Sequence, residues 1–128
     1  VLDAAGFFAG LPLMAPQQYY TSPRVLGELL DNHSRLVAEQ ALSLGRLRVR
    51  KPGEQWLRMI AERVRSIDPR GRLSETDLEV LALAYELVEE GFEVVVVSDD
   101  YLVQKAAVVI GACYMAVRTL GFDRATSS

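Results

Sequence analysis

The sequence predicts an α/β fold built on a mainly parallel sheet. Short apolar segments of strand character alternate with helical segments along the chain, which is the order a parallel sheet with crossover helices requires. The strands read as buried rather than half-exposed, most clearly the all-valine run Val94-Val95-Val96-Val97. The chain has 128 residues, half of them apolar, which suits one domain with a hydrophobic core.

Val1-Leu2-Asp3 reads as the end of a buried strand, and the small residues around Phe7 and Phe8 as a short helix or turn. Pro12 and Pro16 mark residues 11–18 as loop, and Tyr19-Tyr20-Thr21 as a short strand. Ser22-Pro23 has the cap-then-proline form of a helix start, and Val25, Leu26, Leu29 and Leu30 follow at helical spacing. Glu28 would then sit inside that helix, at the edge of its apolar stripe. Ser34 can cap a second helix running to Leu44, with Gly45 ending it. Leu47 and Val49 alternate with arginines as in a strand, and Pro52-Gly53 is a turn.

Residues 54–67 carry Leu57, Ile60, Val64 and Ile67 on one helical face, and Asp68-Pro69-Arg70-Gly71 breaks the pattern. Ser74-Glu75-Thr76-Asp77 has the shape of a capping box, and Leu78, Leu81, Ala82, Tyr85 and Val88 form a stripe behind it. Gly91 ends that helix. A strand follows over 93–97, then a helix over 101–110, then a short strand within 112–117. Residues 1–122 are expected to form one domain and 123–128 a frayed polar tail.

Several function classes drop out. One cysteine cannot form a disulfide framework or a cysteine-rich zinc site, and Cys113, among apolar neighbours, is expected to be a buried thiol. No apolar run approaches the roughly 18 residues of a membrane span. No secretory signal opens the sequence, so a cytoplasmic setting and no membrane partner are expected. A Walker-type phosphate loop is absent, which argues against nucleoside triphosphate hydrolysis. His33 reads as a surface or capping residue, and Trp56 as packing, with base stacking as the alternative.

Net charge is −3, but it is unevenly distributed. Residues 46–72 hold nine basic and three acidic side chains, a net of +6, and the remainder carries −9. Twelve of the 14 basic residues are arginine, whose planar fork suits bidentate phosphate contacts. Arg46, Arg48, Arg50, Lys51, Arg58, Arg70 and Arg72 are the candidate RNA-backbone contacts in that segment. A solvated helix face explains the same residues equally simply.

In parallel α/β sheets ligands bind beyond the carboxyl ends of the strands. Asp3 closes the first strand and Asp99-Asp100 the valine run, while Asp77 opens a helix and Glu28 lies in another. Gathered on one rim, such acids raise one another's pKa unless a cation offsets their charge, and all-oxygen donors suit Mg²⁺ or Mn²⁺. A site of that kind activates water for in-line phosphodiester hydrolysis. Each acid also has a plain structural role open to it: Asp77 as a helix-dipole acid, Asp99-Asp100 as a cap, Glu28 as a solvated side chain.

These residues resemble the PIN-domain pattern. The matching pieces are the strand ending in Asp3; Thr21-Ser22-Pro23-Arg24-Val25-Leu26-Gly27-Glu28; Leu73-Ser74-Glu75-Thr76-Asp77 followed by Val80-Leu81-Ala82-Leu83-Ala84; and Val97-Ser98-Asp99-Asp100-Tyr101. Within that family, the Ser-Asp-Asp-Tyr-x-x-Gln run through Gln104 is similar to the archaeal Nob-type endonucleases that mature small-subunit ribosomal RNA. The resemblance implies a PIN-like three-layer α/β/α fold with a central, mainly parallel sheet. It also implies a metal-dependent endoribonuclease using Mg²⁺ or Mn²⁺, with Asp3, Glu28, Asp77 and Asp100 as catalytic acids. Asp99 is a further metal ligand candidate, and Ser98 a hydrogen-bonding support for the acids. The implied partner is single-stranded RNA, with precursor ribosomal RNA foremost. The alternatives are a VapC-type toxin ribonuclease with an antitoxin partner, or a PIN fold used as a non-catalytic RNA-binding or scaffold module. Lys105 stands where the Nob-type pattern has Asn, and the lone Cys113 cannot supply the zinc ribbon that accompanies that family.

Overall fold

The computed structural model of the chain describes residues 1–117. The expected tail at 123–128, and the last residues of the expected 1–122 domain, lie outside the described residues. Val1-Leu2-Asp3 occupies the centre of the sheet. Leu2 bridges Val97 in parallel, Leu2 N donates to Tyr20 O at 2.8 Å, and Val97 N donates to Val1 O at 2.8 Å. This segment joins two parallel pairs: β1 (Tyr19–Thr21) with β2 (Leu47–Val49), and β3 (Val95–Val97) with β4 (Cys113–Met115). The spatial order is therefore β2, β1, Val1–Asp3, β3, β4. The chain grows outward first on one side of Leu2 and then on the other, so Asp3 ends the strand at which the order reverses. The strands are only three residues long, and every pairing with an assigned direction is parallel.

Parallel neighbours require crossover connections, and helices supply them. Among the described residues, α1 (Ala4–Phe8) and α2 (Leu11–Met14) pack with α4 (Asn32–Ser43). A second group, α3 (Pro23–Gly27), α5 (Glu54–Arg63) and α7 (Tyr101–Val109), packs around α6 (Glu75–Glu89). α6 is the buried backbone of the molecule: Val80, Leu81, Ala82, Leu83, Ala84 and Tyr85 are all buried, more of its circumference than the predicted stripe. Leu2, Phe7, Ile60 and Val96 are fully excluded from solvent. Gly6 is needed beside Leu2, because a Cβ at position 6 would stand 2.8 Å from Leu2 Cδ2.

Several expectations need correction. Residues 11–14 are helical, not loop, because Gly10 enters at φ 75° and Pro12 falls in the first turn, where its missing N–H costs nothing. Asp31, not Ser34, caps α4, accepting from Ser34 N at 2.8 Å. α3 stops at Gly27, so Glu28 is its C-cap and not an internal residue, and Leu30 beyond it is 79% exposed. α5 ends at Arg63 and not at residue 67, and Cys113 is exposed on β4, not buried. Trp56 packs edge-on against Tyr85, ring centroids 5.3 Å apart, as the packing reading expects.

The turn from α5 into α6 depends on one side chain. Asp68 accepts from Leu73 N at 3.0 Å and Arg72 N at 2.8 Å, and these two N–H groups hold its carboxyl below the usual range. Such a group stabilises the fold above its unfolded pKa of about 3.9, and that contribution is lost as pH falls through the lower folded value. Asp68→Asn is accordingly expected to lower the thermal midpoint at pH 7. In circular dichroism melts the gap from the wild-type chain should narrow once the pH drops below about 4.

Candidate active site

The carboxyl end of the sheet carries the acids. Strand ends are tied across it: Arg50 N donates to Thr21 O, the Thr21 hydroxyl to Leu2 O at 2.9 Å, and Asp3 N to Val97 O at 3.2 Å. Val1–Asp3, β1, β2 and β3 each run into a helix whose first N–H groups need acceptors. Asp3 caps α1, its Oδ1 accepting from Ala5 N at 2.9 Å. Asp100 caps α7, its Oδ1 accepting from Leu102 N at 2.8 Å and Val103 N at 3.2 Å. Asp77 closes a complete capping box: Ser74 Oγ accepts from Asp77 N, and Asp77 Oδ2 from Ser74 N, both at 3.0 Å.

Asp3 is the perturbed member. Burial raises its pKa from 3.8 to about 6; hydrogen bonds from the Ser98 hydroxyl and Ala5 N oppose the rise, and the charges of Asp99 and Asp77 add to it. Ser98 is fully buried, and its Oγ also accepts from Asp100 N at 3.1 Å, so it braces both acid positions. Of the Asp99-Asp100 pair, Asp99 is the charge that acts on Asp3, while Asp100 faces the start of α7. Asp99 Oδ1 accepts from Val117 N at 2.7 Å. Glu28 meets α6, accepting from Thr76 Oγ1 at 2.6 Å.

Sequence reasoning passed over three supports. Thr76 holds Glu28. The Gln104 side chain donates to Ser98 O at 2.8 Å across the turn between β3 and α7. Glu79, only 5% exposed, accepts from Arg24 N at 3.0 Å and pairs with the Arg24 guanidinium. Gln104 sits inside a quoted motif and Thr76 beside an acid, but neither spacing signals a role. Glu79 looked like one more helix residue.

The basic segment divides. Arg50 pairs with Glu86 and Glu90, and Arg46 Nη1 donates to Leu13 O at 3.2 Å, at the start of β2 and away from the acid rim. Arg48 is exposed on β2, and Arg58, on the outer face of α5, lies with Arg65 just beyond that helix's end. Lys51 shares a cleft of about 490 Å³ with Arg24, Glu54, Glu75 and Glu79, beside the start of α6. Arg70 and Arg72 lie in the turn just before that helix. A second cleft, about 520 Å³, opens at the opposite end of the strands among Tyr19, Tyr20, Phe92 and Val95, with Glu93 as its one acid, and plays no part in the rim.

The donor set is all oxygen, and the raised pKa of Asp3 is the kind of perturbation a divalent cation relieves. As placed, no three Asp, Glu, His or Cys side chains among the described residues stand close enough to hold one ion. The residues therefore fit the chemistry of a hard cation, with their carboxylates turned toward helix N–H groups and Thr76 instead.

A profile for the PIN domain of ribonuclease matches residues 1–87, about two thirds of the chain. The chain belongs to the PIN-domain family. The fold described above is thus the PIN-like α/β/α arrangement, with short parallel strands. The chain is 41% identical over 121 residues to Ribonuclease VapC3 of Aeropyrum pernix, covering 94% of this chain and 87% of that protein. It is 38% identical over 118 residues to Endoribonuclease Nob1 of Pyrococcus abyssi, covering 92% of this chain and 68% of that one. Endoribonuclease Nob1 of Methanothermobacter thermautotrophicus is 32% identical, with 94% and 70% covered. In this PIN domain no helix among the described residues is long and apolar enough to cross a membrane.

The raised pKa of Asp3 has a stability consequence. The folded chain binds the Asp3 proton more tightly than the unfolded chain, so stability falls as pH rises from about 4 to about 6 and stays reduced above. Asn keeps an acceptor for Ala5 N without the charge. Asp3→Asn should raise the unfolding free energy at pH 8 by up to about 3 kcal/mol, with the gain vanishing below about pH 4. Urea titrations across that range, without divalent cations, would measure it.

Proposed function

We propose that this PIN domain is a divalent-metal-dependent endoribonuclease that cuts single-stranded RNA, with precursor small-subunit ribosomal RNA as its substrate. The observation that carries the reading is the Asp3 carboxylate: half-buried, raised to about 6, and acted on by Asp99 and Asp77 at the strand where the sheet order reverses. Perturbed acids at such a position mark functional sites. The relatives named Endoribonuclease Nob1 support the choice of substrate.

Asp3, Glu28, Asp77 and Asp99, with Asp100 alongside, are the residues that would hold Mg²⁺ or Mn²⁺. A bound cation supplies the charge that activates water and offsets the negative charge gathering on the phosphoryl oxygens. Ser98 keeps Asp3 oriented through its hydroxyl, and the capping box keeps Asp77 at the head of α6. Lys51, Arg70 and Arg72 offer cations next to that helix start for the RNA backbone, with Arg48 and Arg58 further out. Arg46 and Arg50 have protein partners and a smaller part in this grip.

A toxin ribonuclease paired with an antitoxin is the second reading, favoured by the 41% identity to Ribonuclease VapC3. The test is cleavage of labelled single-stranded RNA in Mn²⁺, comparing an oligonucleotide spanning the 3′ end of small-subunit ribosomal RNA with transfer and messenger RNA. The expected result is selective cutting of the first, and a loss of about 100-fold or more in Asp3→Asn and Asp77→Asn. Unchanged cutting in both variants would overturn the assignment. Selective cutting of transfer or messenger RNA, silenced by a small co-purifying protein, would replace it with the toxin reading.

A further inference from the structure

We infer that the Thr76 hydroxyl is a positioning group that fixes the Glu28 carboxylate at the acid rim. The inference rests on the nuclease reading above and deepens it.

Glu28 has little else to orient it. It is the exposed C-cap of α3, beyond the last helical residue, and its own backbone N–H is committed to the carbonyls of Arg24 and Val25. An exposed glutamate in that place samples many rotamers, and ordering it has an entropic cost. The Thr76 Oγ1 bond, at 2.6 Å, is short as befits a hydroxyl donating to an ionised acceptor. Thr76 is itself well placed to impose a geometry. It is buried at 9% exposure, in the first turn of the longest helix, between the Ser74 and Asp77 halves of the capping box. The box fixes the backbone on either side of it, and the β-branched side chain has few χ1 states.

In the first turn of α6 there is no preceding helical turn whose carbonyl the Thr76 hydroxyl could bond. Here it reaches across 48 residues of sequence to another element. One turn of α6 thus places two acids at once, Asp77 through the box and Glu28 through the neighbouring hydroxyl. Asp77 in turn is one of the charges felt by Asp3. Thr76 acts through Glu28 and touches no substrate in this scheme.

The test uses the full 128-residue chain with Mn²⁺ as the probe. Bound Mn²⁺ is counted by electron paramagnetic resonance, and cleavage kinetics are measured alongside. Thr76→Val, close in shape but without the hydroxyl, should weaken Mn²⁺ binding and raise the Mn²⁺ needed for half-maximal cleavage by about tenfold, the scale seen when a group that orients a metal ligand is removed. KM for RNA at saturating Mn²⁺ should not move. Thr76→Ser, which keeps the donor, should restore most of the loss. In a Glu28→Leu background, which has no acceptor for the hydroxyl, Thr76→Val should add nothing, because the two substitutions remove the same interaction. If the valine variant does not fold, Thr76→Ala takes its place in the same cycle. Wild-type Mn²⁺ affinity in the hydroxyl-less variant, or an equal loss with and without Glu28, would overturn the inference while leaving the nuclease reading intact. A wild-type chain that neither binds Mn²⁺ nor cuts RNA would overturn both.

Discussion

Helix capping at the ends of parallel strands is the constraint on which this site depends. A strand that feeds directly into a helix delivers a turn of N–H groups with no partner in the helix, and a short acidic side chain is a good acceptor for them. Asp3 caps α1, Asp77 closes the box of α6, and Asp100 caps α7. The sheet sets the starts of α1 and α7 at its carboxyl end, so capping brings Asp3 and Asp100 toward one rim, while α6, which follows α5 through the Asp68 turn, brings Asp77 close enough for its charge to act on Asp3. On the nuclease reading the rim needs no separate scaffold. The acids are already held by the elements they begin, with Ser98 as the brace between Asp3 and Asp100.

That arrangement sets capping against ligation. A carboxylate oxygen that accepts from a helix N–H is not aimed at an ion, and the described acids do not form a ready-made cage. What they do form is a group of acids in which the half-buried Asp3 is the perturbed one, chiefly through loss of solvent and secondarily through the charges of Asp99 and Asp77. Around it, the surface charge is less simple than a basic arm facing an acidic rim. Arg50 and Arg24 neutralise acids of α6, which leaves Lys51, Arg70 and Arg72 as the cations nearest that helix start.

Much of this was legible in the sequence where one local rule dominates. The capping box at Ser74, the Ser22-Pro23 start and the turn at Asp68 each rest on short-range chemistry, and each is found; the valine run is a strand only over Val95–Val97 and is not covered on both faces, since Val95 is exposed while Val94, Val96 and Val97 are buried. The place of Asp3 at the end of a strand was legible from the apolar residues before it; its plain role as the cap of α1 was not. The rest depends on tertiary context. Whether Val25 to Leu30 continues as helix is decided by what packs on it, and the helix stops at Gly27, which leaves Leu30 exposed and Glu28 at a terminus. Cys113 faces outward because β4 is short and its neighbours in sequence do not determine its face. Arg50 carries a positive charge in any reading; only the packed structure shows Glu86 and Glu90 beside it. Thr76 and Glu28 lie 48 residues apart, and no periodicity links them.

The burial of Asp3 also has an evolutionary side. An acid that the fold tolerates at a cost persists only while selection for its chemistry outweighs that cost. A descendant of this domain relieved of that selection would drift toward a neutral residue at position 3, and would become sturdier in doing so. On the nuclease reading, the first trace of lost activity would be this central position, with the caps at Asp77 and Asp100 retained because their helices still require them. Relatives that keep the two caps but lack the first acid would therefore be the signature of domains that bind without cutting.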